Sequence, residues 1–160
     1  MAHLDQLLAA FDEAHRELEI ALNGTPDEDL WRRPHERLWS IGEVACHVAY
    51  WEAIWLHSPS EERTLANLPI QSPIFHPAAQ YYDPAVAPWK VELNADQLIA
   101  ELKRIHEATN AHVRDLNPEY GTRVASRPEA TWGWQLGYMV FHVGYHTGQI
   151  YSARHIFGHE

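Results

Sequence analysis

The chain has 160 residues, the length of one domain, and is long enough to bury a core without disulfide staples. Its 12 Lys and Arg stand against 22 Asp and Glu, and a formal net charge of −10 repels phosphate backbones and acidic lipid surfaces, so neither nucleic-acid nor membrane binding is expected. The single cysteine, Cys46, excludes an internal disulfide framework and fits a reducing, cytoplasmic setting.

The opening residues, Met1-Ala2-His3-Leu4-Asp5-Gln6, form neither a basic nor an apolar run, so no secretory signal is expected. The first helix is predicted from about Ala2 to Leu22. Leu4, Leu8, Phe11, His15, Leu18 and Leu22 recur there in steps of three and four, and Asn23-Gly24 stops it. A second begins at the capping-box pattern Ser40-Ile41-Gly42-Glu43 and carries Ile41, Val44, Val48, Trp51 and Trp55 on one stripe until Ser58-Pro59. The third is capped by Asn94 with Gln97 three residues later; Leu98, Leu102, Ile105, Thr109, His112 and Leu116 trace its inner face before Asn117-Pro118. The fourth starts near Thr131 and runs through Leu136, Met139, Val143, His146, Ile150, Ala153 and Phe157 to Gly158. Its most apolar part, Trp132 to Val143, is shorter than the roughly 20 residues that cross a bilayer.

Each stripe is too narrow for a helix buried all round. Four such helices satisfy one another by sharing a core, which defines an all-α four-helix bundle. The links are long: Gly24 to Trp39, Ser58 to Leu93, and Asn117 to Ala130. The second holds six of the ten prolines. Connections of this length permit crossovers, so at least one pair of parallel neighbours is expected. The Pro-rich link, with Phe75, His76, Tyr81, Tyr82 and Trp89, reads either as a strap packed on the bundle or as a cover over a pocket mouth.

His142 and His146 lie four residues apart inside the last helix, so both imidazoles project from one face. Two such rings among apolar neighbours are either hydrogen-bonded core residues or two donors of a metal site. With 12 histidines in the chain, some pairs at this spacing arise by chance; His155 and His159 form another, interrupted by Gly158 and expected in solvent. A third donor is available at His47, near the middle of the second helix, while His15 and His112 also fall on apolar stripes and read as buried, hydrogen-bonded imidazoles. Gly133, Gly137, Gly144 and Gly148 each weaken the last helix by up to about 1 kcal/mol. Gly144 and Gly148, flanking His146, point to close approach by a neighbouring helix, with or without a metal.

Trp31-Arg32-Arg33-Pro34 followed by Leu38-Trp39-Ser40-Ile41-Gly42-Glu43-Val44-Ala45-Cys46-His47-Val48, together with Phe141-His142-Val143-Gly144-Tyr145-His146-Thr147-Gly148-Gln149-Ile150, resembles the DinB/YfiT-like metalloenzyme family. The resemblance covers most of the chain and has both motifs in the family's order. It implies a four-helix bundle with a long crossover and a divalent metal ion, commonly zinc or nickel, held by His47, His142 and His146. It also implies, for some members, transfer of low-molecular-weight thiols such as bacillithiol or mycothiol to electrophiles, or thiol-dependent isomerisation of maleylpyruvate, and for many a homodimer. Gly144-Tyr145 departs from the family's commonest last motif, which leaves the substrate class open.

Three neutral imidazoles leave the full charge on a divalent ion, so a bound thiol or water is strongly acidified. Glu43, one turn before His47, reads as a cap or as a group that orients His47 or takes a proton; Gln149 reads as a ligand contact or a surface residue. Cys46, about 100° round the helix from His47, reads as buried packing. The expected function is a metal-dependent transferase that activates a small thiol for attack on a small-molecule electrophile. A metal-dependent hydrolase that activates water and a non-catalytic metal-binding or interaction protein are the alternatives.

Overall fold

The computed structural model describes residues 2–58, 62, 64–81, 83 and 85–159, without the side chain of residue 2. Pro59 and Tyr82, named above in the crossover, lie outside the described residues. Four long helices dominate: α1 (Ala2–Leu22), α3 (Ile41–His57), α4 (Ala95–Leu116) and α5 (Trp132–Phe157). Their ends follow local chemistry. Ser40 and Glu43 close a complete capping box on α3, and Asn94 and Gln97 close another on α4. Asn117 and Gly158 terminate α4 and α5 in left-handed conformation, with φ of 42° and 84°. A short helix, α2 (Asp27–Leu30), and an antiparallel pair of strands, β1 (Arg123–Val124) and β2 (Arg127–Thr131), lie in links that carry no periodic signal.

In the bundle, α1 packs on α5 and α4, and α3 packs on α4 and α5. Two pairs of neighbours run parallel. At one end His3 meets Tyr120, whose carbonyl accepts from the Gly133 amide at the start of α5; at the other, Arg154 donates to the carbonyls of Ala21 and Asn23, so α1 and α5 are parallel. Trp31 lies on Gly42 and donates to the Leu93 carbonyl just before α4. His57 and His112 stack at the opposite end, making α3 and α4 parallel as well.

Burial corrects three sequence expectations. Every residue of α3 except Trp51 is buried, so this helix is enclosed rather than striped. The residues between α3 and α4 cover its remaining side: Trp51 donates to the Gln80 carbonyl and Trp39 to that of Asp83. On α4 the inner face passes through His106 and Val113, leaving His112 half-buried and Leu116 exposed, because 3.6 residues per turn carry the face from Leu102 to His106 to Val113. Finally, no neighbour lies within 4 Å of a Cβ built at Gly137, Gly144 or Gly148, so close helix approach does not explain them.

Two glycines are tight: a Cβ at Gly133 would meet the Tyr120 ring at 2.3 Å, and Gly42 faces Trp31. A Cβ there would meet the Trp31 ring at 2.6 Å, and that ring is anchored by its bond to Leu93. Gly42→Ala is therefore expected to cost about 1–3 kcal/mol, whereas Gly144→Ala on the open face of α5 is expected to add up to about 1 kcal/mol. Urea midpoints of the two variants check the pair; a neutral Gly42→Ala would show that Trp31 moves aside freely.

Candidate metal centre

His47 projects from the middle of α3, and His142 and His146 from successive turns of the antiparallel α5. Ring centroids lie 5.2 Å apart for His47 and His142, 4.6 Å for His47 and His146, and 4.5 Å for the α5 pair. One nitrogen from each comes within 4.8 Å of the others. All three rings are buried. The sequence thus brings its three candidate ligands to one point.

Outer partners fix two of the rings. His47 Nδ1 lies 2.6 Å from the Ala79 carbonyl and His146 Nδ1 lies 2.7 Å from Gln149 Oε1. Both oxygens can only accept, so each ring carries its proton on Nδ1 and keeps the Nε2 lone pair free. His142 Nδ1 is buried with no hydrogen-bond partner. A carbonyl or amide behind a ring and an unsatisfied imidazole nitrogen beside it are what a divalent cation of the zinc or nickel type requires of its donors, so the residues fit such an ion.

Burial, then the neighbouring His146, hold His47 down to about 4 and His142 down to about 2; burial lowers His146 as well. All three are neutral at pH 7 and free to donate lone pairs. Burial likewise lowers His57, beside His112, to about 4. The sign for stability follows. The unfolded chain takes up these protons near pH 6.5 while the fold refuses them, so each group's contribution is complete above that pH and is lost as pH falls. His106 has a raised pKa through Glu52 and Asp12 despite its burial. Its contribution is already complete below pH 6.5 and does not oppose the loss. Metal-free protein is expected to lose stability between about pH 6.5 and 4, by up to about 1.4 kcal/mol per pH unit for each such histidine. Urea unfolding across that range measures it, and a flat profile would mean these rings are protonated in the fold.

A solvent-open cleft of about 450 Å³ lies over the triad, lined also by Trp51, Trp55, Gln80, Tyr81, Tyr138, Phe141, Tyr145 and Gln149. Tyr81, from the crossover, is 67% exposed at its rim; His76 instead stacks on Trp89 at 4.4 Å. Arg127 of β2 lies over the rings of Trp55, Trp134 and Tyr138, extending the aromatic wall. Sequence reading missed this wall because its residues come from α3, α5 and two links, and the Ala79 carbonyl because backbone acceptors leave no mark in sequence.

Glu43 is not brought to the cleft. Its buried carboxylate accepts from Arg33, from the Ser40 amide and from the Trp89 amide. Gln149 stands at the cleft as the partner of His146, which is an orienting position. Cys46 is fully buried, its thiol pushed up by burial and by Glu43, so it is packing. His155 is exposed, but His159 is tied to Asp29 Oδ2 at 2.6 Å, against the expectation of a free ring.

A crossover four-helix bundle with three buried histidines converging beneath an aromatic cleft is the class of protein that fold and site define. The family comparison is specific: residues 10–150 match the DinB superfamily model, and the chain belongs to that superfamily. Comparison with curated proteins and with solved structures gives no match. Among the described residues no helix is long and apolar enough to cross a membrane.

Proposed function

We propose that the chain is a single-domain, divalent-metal-dependent transferase that activates a small thiol for attack on an electrophile. The observation that carries this reading is the pairing of the two Nδ1 protons of His47 and His146 with outer acceptors at the floor of an open cleft. A bound zinc or nickel ion supplies Lewis acidity that lowers the pKa of a thiol. His47, His142 and His146, neutral at pH 7, would hold the ion; Ala79 and Gln149 keep two of the rings aimed. Trp51, Phe141 and Tyr145 offer flat apolar faces to an electrophile. The sulfur lone pair forms the new carbon–sulfur bond; a halide departs with its electron pair, or an epoxide C–O bond or a conjugated C=C pair opens and takes a proton from water, and the thiol proton passes to water at the cleft mouth.

The cleft lining favours thiol over water. None of its described residues is an Asp or Glu, so these offer no carboxylate base. A thiol near pKa 8.5 needs far less assistance than water near 15.7. The test is thiol consumption by metal-loaded protein against a panel of aryl halides, epoxides and α,β-unsaturated acids. Metal-dependent consumption, abolished by chelation, is expected. Ester or amide cleavage without any thiol would establish the hydrolase instead, and a melting-temperature drop on chelation with no turnover on any substrate would leave only a structural role.

A further inference from the structure

A second cluster of ligating side chains lies inside the bundle, away from the cleft. His15 of α1, Glu52 of α3 and His106 of α4 are 2%, 0% and 7% exposed, and one ligand atom from each falls within 4.8 Å of the others. His15 Nε2 stands 2.8 Å from Glu52 Oε2, an ion-pair contact that lies off the line of a hydrogen bond. His106 Nδ1 lies 3.3 Å from the other Glu52 oxygen. Its far nitrogen, Nε2, lies 3.0 Å from Asp12 Oδ1, to which Asn110 also donates. Asp12 behind Nε2 is the carboxylate–histidine arrangement that fixes a ring and turns its opposite nitrogen, Nδ1, toward Glu52.

The charge count points the same way. Burial by itself would raise the Glu52 carboxyl, but His15 and His106 beside it hold it below the usual carboxylate range. Glu52 brings one fully buried negative charge, and Asp12, half exposed at the edge of the cluster, a second. The rings of His15 and His106 are stacked at 3.7 Å, so two imidazolium charges would face each other directly. A proton on one ring balances Glu52 alone and sets a charged ring against its stacked neighbour; one divalent cation balances Glu52 and Asp12 with both rings neutral.

We propose that His15, Glu52 and His106, supported by Asp12, bind a second divalent transition-metal ion with a structural role. Two nitrogens and a carboxylate suit the zinc, manganese(II) and iron(II) class rather than magnesium or calcium. The burial of all three donors closes the site to substrates. Three helices, α1, α3 and α4, meet at this ion, and the cleft triad joins α3 to α5, so the two sites together tie all four helices.

The experiment is metal stoichiometry by elemental analysis after zinc loading and gel filtration. Native protein is expected to retain two zinc ions per chain, and the His142→Ala/His146→Ala double variant, whose core cluster is intact, one. Adding Glu52→Gln to the double variant is expected to remove that last ion; if this triple variant does not fold, His106→Gln replaces Glu52→Gln. A double variant that retains no zinc overturns the proposal, as does an ion that survives loss of Glu52 or His106. Native protein with one zinc that vanishes in the double variant would refute the core site while leaving the cleft triad standing.

Discussion

His142→Ala is expected to weaken divalent-metal binding by more than about a hundredfold while costing the metal-free fold the packing of one buried ring, about 2 kcal/mol. Loss of a partner that merely orients a ligand costs about 10–100-fold in affinity, and loss of a donor costs more. Gln149→Ala, which frees the His146 ring, is therefore expected to fall in the lower range and His142→Ala above it. The orphaned Nδ1 keeps that cost to packing: alanine loses the ring's contacts with Trp55 and Tyr138 but no hydrogen bond. Native protein should gain about 2.7 kcal/mol when the free ion exceeds its dissociation constant a hundredfold, and the variant should gain far less at that concentration. Isothermal titration and melting with and without zinc measure both parts. Equal metal affinity in native and variant protein would remove His142 from the centre.

Glu43→Ala is expected to be the most damaging single change, costing about 3–5 kcal/mol and lowering Tm by roughly 10 °C. The carboxylate is 1% exposed and the Arg33 side chain 8% exposed, with Nη2 to Oε1 at 2.7 Å. It also closes the capping box and accepts from Trp89, so one substitution unties the Trp/Pro link, the start of α3 and the end of the crossover. Metal bound per folded molecule should be unchanged, since Glu43 does not line the cleft. Urea unfolding and metal analysis of the same preparation test this. Loss of thiol turnover in Glu43→Gln, with stability and metal content intact, would return the residue to the chemistry.

The four long helices were legible because their signals are local. Stripes at helical spacing, two capping boxes and the Asn117 and Gly158 stops depend only on residues within a turn or two. The convergence of His142 and His146 was equally legible, being set by an i, i+4 step, while His47 needed the family resemblance to stand out from His15 and His112. What sequence hid was non-local. The enclosure of α3 depends on a crossover with no period of its own, and the salt bridge that occupies Glu43 joins residues ten apart through a loop. His106 was missed by following Ile105 to His112, whereas Leu102, His106, Thr109 and Val113 trace the face that is buried. Gly144 and Gly148 misled because composition cannot tell an open face from a packed one.

The crossover turn around Ala79 and Gln80 holds His47 by one carbonyl and Trp51 by the next. Assembly of the centre thereby depends on a segment distant in sequence from every candidate ligand. An ion held by His47, His142 and His146 would therefore be captured only once this turn has set the α3 imidazole, which would make metal binding a late step that a correctly threaded chain alone completes.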